Sequence, residues 1–224
     1  MTGRTLAMGD IHGNLEAFKQ CLERSQFDHE LDQLIQLGDV SDRHSFTAEV
    51  VEELLKIQSL VAIRGNHDAW TREWLVHGTV KTAWIENGGF ATIQSYQKNK
   101  HIDLSVHQAF FDSFQKDYYM DASNRVYVHG GYRHPHGPQY ETDPTICTKD
   151  RTLWTSILEG KKSDRKPKPL EVFKEVFLGH TPTLNWQTTE PMNVFNAWNL
   201  DTGAGTNGKL TIMDVNTKEY WQSD

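Results

Sequence analysis

The chain has 224 residues, enough for one substantial domain with a large buried core, so we expect a single domain over residues 1–224. Its formal net charge of −7 at pH 7 argues against a protein that mainly holds nucleic acid, because polyanions are normally bound by dense lysine and arginine surfaces. Cys21 and Cys147 lie far apart without a CxxC spacing, so they predict neither a disulfide framework nor a zinc knuckle.

The sequence carries no signal for export or for membrane insertion. Its first ten residues lack the basic start and apolar core of a signal peptide. Its apolar runs all stay well short of the ~20 residues that a helix needs to cross a bilayer. We therefore expect a cytoplasmic protein without a membrane partner.

Short apolar runs recur along the chain, and most of them end in glycine followed by a polar residue. They predict strands over Thr5–Met8, 33–37, 60–63, Arg125–Val128 and 172–178. Apolar residues at helical spacing separate the first three strands, at Leu15, Phe18 and Leu22 and again at Ala48, Val51 and Leu54. This alternation predicts βαβ units and a sheet that is at least partly parallel.

The last part of the chain has a different pattern. It predicts strands over residues 195–200 and 209–215 around a glycine-rich turn, and a short strand over 219–221. We expect these strands to form a meander that closes a second sheet. The turn at 203–208 matches GxGxxG, but a strand follows it, whereas a dinucleotide site needs a helix there. We therefore reject a dinucleotide site.

Five polar clusters follow the predicted strands. They are GDIHG at 9–13, GDVSDR at 38–43, GNHD at 65–68, HGG at 129–131 and GHT at 179–181. One such cluster is more often a turn or a packed histidine, but ligands of a parallel sheet gather beyond the carboxyl ends of its strands. The five clusters together therefore predict one metal centre. Carboxylate, imidazole and amide donors suit Mn, Fe, Zn or Co better than thiolate-loving ions.

With these motifs the sequence resembles the calcineurin-like metallophosphoesterase superfamily, and within it the bacterial and phage relatives of the serine/threonine protein phosphatases. The likeness extends from about Leu6 to about Val215, and residues 84–96 and 199–203 also resemble that branch. The resemblance implies an α/β fold in which two mixed β-sheets pack as a sandwich flanked by helices. It also implies a dinuclear metal site at the carboxyl ends of the strands.

The resemblance implies two divalent metal ions, Mn first, with Fe, Zn, Co and Ni as alternatives. The implied ligands are Asp10, His12, Asp39, Asn66, His129 and His180. Asp39 would bridge the ions, with Asp10 and His12 on the first and the others on the second, although some assignments move His180 to the first. A bridging carboxylate keeps two cations roughly 3.5–4 Å apart, so that a shared water can attack the phosphorus directly.

His67 lies next to a ligand, but the resemblance does not make it one. Its implied role is that of a general acid that protonates the leaving oxygen, with Asp42 orienting the ring and favouring its charged form. Arg43 and Arg64 match the family's phosphate-binding arginines. Guanidinium groups fit the oxygens of a phosphate and stabilise the charge that develops in the transition state.

The roles of several neighbouring residues stay open at this stage. Arg133 and Arg151 are candidates for further phosphate contacts. His134 and His136 either line the cleft or belong to an exposed turn, and the neighbouring Pro135 and Pro138 favour the turn. Asp68 either supports the metal site or caps a helix that begins near residue 69. It also stands where the eukaryotic protein phosphatases have glutamate, which argues against a narrow serine/threonine specificity.

The resemblance implies a metal-dependent phosphatase for phosphate monoesters, with phosphoserine and phosphothreonine on proteins as the first substrates and phosphotyrosine as a further one. Small phosphoesters would also serve. The main alternative is a dinucleoside polyphosphate hydrolase, which attacks a phosphoanhydride. A phosphodiesterase or a nucleic-acid end phosphatase fits the acidic balance less well. A scaffold without catalysis is a further alternative, but the complete set of ligands, with His67 and Asp42, argues against it.

Overall fold

The computed structural model describes residues 3–224. Its strands are β1 (Thr5–Met8), β2 (Gln33–Gln36), β3 (Ser59–Ala62), β4 (Tyr118–Met120), β5 (Arg125–Val128), β6 (Glu175–Leu178), β7 (Met192–Val194), β8 (Ala197–Asn199), β9 (Thr211–Asp214) and β10 (Tyr220–Gln222). Its α-helices are α1 (Leu15–Arg24), α2 (Thr47–Leu54), α3 (Asn66–His77), α4 (Thr82–Trp84), α5 (Phe90–Lys98), α6 (Leu104–Ala109), α7 (Thr145–Lys149) and α8 (Thr152–Lys162).

The first sheet has the strand order β10-β9-β1-β2-β3. Strands β1, β2 and β3 run parallel, because α1 and α2 carry the chain back between them. Strand β9 pairs antiparallel with β1, and β10 pairs antiparallel with β9. The predicted βαβ units are therefore confirmed.

The second sheet has the order β4-β5-β6-β8-β7. Strands β5, β6 and β8 are parallel, and the edge strands β4 and β7 run antiparallel to their neighbours. Two mixed five-stranded sheets with flanking helices confirm the predicted fold class. Parallel strands stand at the centre of both sheets, so both sheets can present carboxyl ends to one site.

Strand alternation explains how the two sheets pack. Successive side chains of a strand point to opposite faces, so Leu6 packs with the helices while Ala7 packs between the sheets. In that inner layer the rings of Tyr127 and Phe177 are stacked, with centroids 5.0 Å apart. Phe18 of α1 packs on the outer side of the first sheet, and α8 covers the second. The two sheets therefore pack face to face as a sandwich, and helices cover its outer faces.

The predicted C-terminal meander is wrong. The strand predicted at 195–200 is β8 of the second sheet, whereas the strands predicted at 209–215 and 219–221 are β9 and β10 of the first. Local alternation identifies a strand but carries no information on which of two sheets it joins. The chain between β8 and β9 therefore crosses from one sheet to the other.

The bounds of some elements also differ from the prediction. The strand predicted over 172–178 begins only at Glu175, because its partner β5 begins at Arg125, opposite that residue. The short edge strands β4 and β7 have too few alternating residues to be predicted. Among the helices over residues 3–224, none combines the length and the apolar composition that a membrane crossing requires.

Candidate active site

The polar clusters lie together beyond the carboxyl ends of five parallel strands from both sheets. Asp10 and His12 follow β1, Asp39 follows β2, Asn66 follows β3, His129 follows β5 and His180 follows β6. All are buried except Asn66, which is half-buried. The fold thus brings the polar segments together, although they are far apart in the sequence.

Asp39 stands at the centre of this cluster. Donor atoms of His12, Asp39 and His67 lie within 4.8 Å of one another, and so do those of Asp39, His129 and His180. The Oδ2 atom of Asp39 is 3.3 Å from His129 Nε2 and 3.7 Å from His12 Nε2. Its carboxylate is therefore shared by two groups of donors, as a bridging ligand would be.

Two buried polar atoms show that the cluster suits cations. Over residues 3–224, neither Asn66 Oδ1 nor His129 Nε2 has a hydrogen-bond partner. Buried polar atoms are normally paired, and a lone pair that faces a ligand cluster without a donor suits a metal ion. The carboxylates of Asp10 and Asp39 would offset its charge. The residues present therefore fit divalent metal ions bound through oxygen and nitrogen.

Backbone carbonyls fix the ring orientation of three histidines. His12 Nδ1 lies 3.0 Å from the oxygen of Ser41, and His129 Nδ1 lies 2.8 Å from that of Leu37. His180 uses its other nitrogen, with Nε2 3.0 Å from the oxygen of Lys149. A carbonyl only accepts hydrogen bonds, so each of these nitrogens carries the proton and the opposite nitrogen is available to a metal.

The pKa values of these groups follow from burial and from mutual charge. Burial lowers the pKa of His12 and of His180 to about 3, which keeps both rings in the neutral form that binds metal. Burial also acts on His129, but Asp39 and Asp10 outweigh it and raise its pKa to about 10. Burial would raise the pKa of Asp39, yet His129 and His67 hold it well below its usual range. Uptake of a cation would therefore displace a proton from His129.

Two glycines leave room for the carboxylates. A Cβ atom on Gly65 would lie 2.0 Å from Asp39 Oδ1, and one on Gly179 would lie 2.4 Å from Asp10 Oδ1. The same Asp10 carboxylate accepts a hydrogen bond from the backbone N–H of His180 at 3.1 Å. The glycines in the GNHD and GHT motifs thus allow backbone and carboxylates to approach closely.

Several site residues adopt a left-handed backbone, which is uncommon for residues other than glycine. These residues are His12, Asp39, Asp42, Arg43 and His180, with φ between 52° and 77°. Such conformations persist only where the surrounding structure holds them, and they are concentrated at functional sites. The loops after β1, β2 and β6 therefore adopt an uncommon backbone conformation at the residues whose side chains form the cluster.

His67 and Asp42 form a buried pair beside the cluster. His67 Nδ1 lies 2.7 Å from Asp42 Oδ2, and both side chains are almost fully buried. Asp42 also accepts hydrogen bonds from Trp84 Nε1 at 2.8 Å and from Thr92 Oγ1 at 2.7 Å. Burial lowers the pKa of His67, but Asp39 and Asp42 outweigh it and raise that pKa above its usual value. The ring is thus held by one nitrogen, and its charged form is favoured.

Asp68 fulfils both of the roles that the sequence left open. Its carboxylate accepts a hydrogen bond from the backbone N–H of Gly65 at 3.0 Å and so caps α3, which begins at Asn66. It also accepts one from Val40 N–H at 2.9 Å, in the loop that follows Asp39. One buried side chain therefore ties the loop after β2 to the start of α3.

The predicted phosphate-binding arginines lie in different places. Arg43 and Arg151 both line the cleft of about 270 Å³ that contains His12, Asp39 and His67. Arg64 instead lines a neighbouring cavity, where its guanidinium donates to the Asp112 carbonyl at 3.0 Å and pairs with Asp117 at 3.3 Å. The phosphate-binding role of Arg64 stays a prediction.

The other open residues lie outside this cleft. Arg133 pairs with Asp150 at 2.6 Å. His136 is exposed and lies near His134 and Tyr140, with the two imidazole rings 5.6 Å apart. This agrees with the exposed turn that the two prolines of the segment indicate.

Three residues of the site were not among the predicted site residues. Asp201 lines the cleft at the carboxyl end of β8, and burial raises its pKa to about 6. The rule that located the other ligand-type residues, a polar residue after a parallel strand, would have found it. Trp84 and Thr92 hold Asp42 from a distant segment, which a local motif does not reveal.

Two of the known proteins with similar sequences are hydrolases that differ in their named activity. The chain is 30% identical to serine/threonine-protein phosphatase 2 of Escherichia coli K12, over 93% of this chain and 91% of the relative. It is 24% identical to a symmetrical bis(5'-nucleosyl)-tetraphosphatase of Pseudomonas putida, over 98% of this chain and 92% of the relative.

A solved structure and a family model agree with the architecture. The crystal structure of a metallophosphoesterase from Sphaerobacter thermophilus aligns with a TM-score of 0.60 and 15% identity, over 99% of this chain and 88% of the other, and so supports the fold alone. The model of the calcineurin-like phosphoesterase family matches residues 3–202. The chain is therefore a member of the calcineurin-like phosphoesterase family.

Proposed function

We propose that the chain is a metal-dependent phosphatase in which His67 is the general acid. The observation that carries this proposal is the His67–Asp42 pair, 2.7 Å apart, beside a buried cluster of ligand-type side chains. A ring held by Asp42 through Nδ1 leaves Nε2 for a group bound in the cleft. A positioned acid beside metal ligands is what hydrolysis of a phosphate ester with a poor leaving group needs.

The ligand-type residues would hold two divalent ions, with Asp39 shared between them. We propose Mn²⁺ first, with Fe, Zn, Co and Ni as alternatives, because the donors are oxygen and imidazole nitrogen without a thiolate. Ions bound there would supply Lewis-acid stabilisation of phosphate charge and would make a water molecule more acidic. The residues around them supply orientation and a proton.

Arg43 and Arg151 are placed to orient the phosphate, since both line the cleft that contains Asp39 and His67. In the reaction the water oxygen forms a new bond to phosphorus, and the bond from phosphorus to the ester oxygen breaks. That oxygen takes the proton of His67 Nε2 as it leaves, while Asp42 keeps the ring oriented. A monoester gives inorganic phosphate and an alcohol, whereas an internal anhydride of a dinucleoside polyphosphate gives two nucleotides. The attacking water gives up a proton to solvent, and His67 regains one, so that the proton count balances over the turnover.

Two substrate classes are compatible with this chemistry. Phosphoserine and phosphothreonine on proteins are the first candidate, supported by the similarity to the Escherichia coli protein phosphatase. Dinucleoside polyphosphates are the second, supported by the similarity to the tetraphosphatase of Pseudomonas putida over nearly the whole chain. Both substrates present a terminal or internal phosphate that an open cleft can accept.

The test is hydrolysis of nitrophenyl phosphate by the purified protein with Mn²⁺, followed by a panel of substrates. The panel contains phosphoserine, phosphothreonine and phosphotyrosine peptides, diadenosine tetraphosphate and a 2′,3′-cyclic nucleotide. We expect metal-dependent hydrolysis of at least one of these substrates, measured as free phosphate from the monoesters and as nucleotide products from the dinucleotide and the cyclic nucleotide. A protein that hydrolyses none of them with any of Mn, Fe, Zn, Co or Ni would be a scaffold that has lost catalysis.

A further inference from the structure

A second cavity of about 430 Å³ lies directly beside the metal cleft. Its wall is formed by α3 and α7 and the segment before α4, through Asn66, Ala69, Trp70, Lys81, Pro144 and Lys149. Asn66 lines both the cleft and this cavity, so the two spaces adjoin at a metal-ligand position. The volume lies in the range of known ligand pockets, roughly 300–1,000 Å³.

The cavity lies on the side of the proposed acid. The ring of Trp70 meets the ring of His67 edge to face, with centroids 5.1 Å apart. A general acid must stand within hydrogen-bond reach of the oxygen that it protonates. The leaving oxygen would then lie next to His67, and this cavity adjoins the cleft at Asn66, the residue before His67.

The charge of the cavity favours an anionic group. Four cationic residues line it, Arg64, Arg72, Lys81 and Lys149, and two anionic residues, Glu73 and Asp117. The two arginines pair with nearby carboxylates, whereas Lys81 and Lys149 form no ion pair within the part of the chain that the structure describes. The two unpaired lysines supply positive charge beside this cavity, in a chain whose net charge is −7.

The apolar part of the lining favours a flat ring. The half-buried indole of Trp70 stands with Ala69 and Pro144 in the wall. Indole faces stack well on nucleobases, and a lysine beside the stack suits the phosphates of a nucleotide. An indole and two unpaired lysines around one space are thus suited to a base with phosphates attached.

We propose that this cavity is the leaving-group subsite and that it binds a nucleotide, with its base on Trp70 and its phosphates near Lys81 and Lys149. The proposal rests on the proposed function and selects the polyphosphate of a nucleoside over a phosphopeptide. It makes Trp70 a specificity-determining residue of the site. A phosphopeptide with the same leaving oxygen would gain little from the indole and the two lysines together.

The first test compares Trp70→Ala, Trp70→Phe and wild type, all loaded with Mn²⁺, on diadenosine tetraphosphate and on nitrophenyl phosphate. We expect Trp70→Ala to raise KM for the dinucleotide on the order of 10-fold, within the range that base stacking contributes. The change for nitrophenyl phosphate should be smaller, and Trp70→Phe should recover most of the dinucleotide KM. Equal losses on both substrates would mean that Trp70 only positions His67, and would overturn the subsite.

The second test changes the lysines and includes a matched control. The double variant Lys81→Gln/Lys149→Gln should raise KM for the dinucleotide by roughly 3-fold to 10-fold, and added salt should reduce the difference. The double variant keeps the backbone carbonyl of residue 149, which accepts a hydrogen bond from His180 Nε2. Lys19→Gln/Lys98→Gln removes two exposed lysines elsewhere and should change neither KM. A control that matched the effect of the first pair would overturn a local role for these lysines.

A binding measurement separates this proposal from the proposed function. Calorimetric titration of the Mn²⁺-loaded protein with adenosine, which has no phosphate to hydrolyse, should show binding that Trp70→Ala weakens on the order of 10-fold. An enzyme that is active on nitrophenyl phosphate but binds adenosine equally well with and without Trp70 refutes the subsite alone. An enzyme that prefers the phosphoserine peptide to the dinucleotide also refutes the subsite alone. A protein without any hydrolytic activity refutes the proposed function instead.

Discussion

At the scale of single residues, Asp39 has the most demanding position in the site. Its Oδ2 lies between His12 and His129, while its Oδ1 accepts the backbone N–H of His67 at 3.0 Å. Both carboxylate oxygens therefore have neighbours. Oδ2 faces the two histidines, and Oδ1 accepts a hydrogen bond from the start of α3. A change of charge at this residue would be felt by both metal positions.

We expect Asp39→Asn to lower metal content more than Asp10→Asn, because the amide removes a charge that two ions share. Metal analysis after dialysis against a fixed concentration of Mn²⁺ measures the difference. Asp164→Asn, on an exposed loop, serves as the control and should keep the wild-type content. If Asp39→Asn retains both ions at full occupancy, Asp39 is not the bridge.

We expect His67→Asn to slow hydrolysis of phosphoserine on the order of 10²–10⁴-fold, the usual contribution of a positioned general acid. Nitrophenyl phosphate has a leaving group that departs well without a proton, so its rate should fall less. Steady-state rates on the two esters give the ratio. Asp42→Asn should show the same pattern more weakly, since it removes only the partner that orients the ring.

Metal content and thermal unfolding of His67→Asn serve as its controls, and both should stay near wild type. His67 donors do lie within 4.8 Å of His12 and Asp39, so a role as a ligand is a definite alternative. Loss of a metal ion, or an equal loss of rate on both esters, would show that His67 is a ligand rather than the acid.

At the scale of elements, the kinked segment formed by α4, residues 85–89 and α5 supports the loop that carries Asp42. Trp84 and Thr92 donate to the Asp42 carboxylate, and Arg43 N–H donates to the Gly88 carbonyl at 3.1 Å. Three contacts from one segment therefore hold the loop after β2 in its left-handed conformation. If the proposed function holds, the segment would support catalysis through Asp42, although it does not line the cleft.

We expect Trp84→Phe to lower the free energy of unfolding by about 1–3 kcal/mol, because the buried Asp42 carboxylate loses a donor. Activity should fall roughly 10-fold to 100-fold, as is usual when a residue that orients a catalytic group is lost. Urea unfolding and nitrophenyl phosphate rates measure the two effects. Trp154→Phe is the matched control, since its buried indole N–H has no partner within residues 3–224. A similar activity loss in both variants would assign the effect to packing.

The sequence predicted the elements that carry local signals and missed those that depend on distant contacts. The strands that end in ligand-type residues were visible because a glycine and a polar residue mark their ends. Strand β9 was predicted as a strand but assigned to the wrong sheet, because its partner β1 lies some 200 residues earlier in the chain. The hydrogen bond from Trp84 to Asp42 spans 42 residues and leaves no local pattern.

At the scale of the whole molecule, the ligand-type residues join the two sheets. Asp10, Asp39 and Asn66 come from the first sheet, and His129 and His180 from the second. Cations held between these residues would bind the folded arrangement and not the unfolded chain. Metal uptake and the stability of the sandwich are therefore linked.

We expect chelation followed by dialysis to abolish turnover and to lower the melting temperature, and added Mn²⁺ to restore both. Mn²⁺ at 100 times its dissociation constant would stabilise the fold by about 2.7 kcal/mol per site. Parallel activity and thermal-unfolding titrations measure the two effects, and Mg²⁺ at equal ionic strength controls for salt. Full activity in thoroughly metal-free protein would contradict the whole assignment.

The crossing of the chain from β8 to β9 has a consequence for synthesis. Strand β1 is synthesised about 200 residues before β9, one of its two neighbours in the sheet. Until β9 is made, the open edge of β1 presents unpaired N–H and C=O groups, a site where nascent chains can pair with one another. Truncation before Thr211 should therefore give aggregated chains rather than a smaller folded unit, even though such chains contain every metal-ligand candidate.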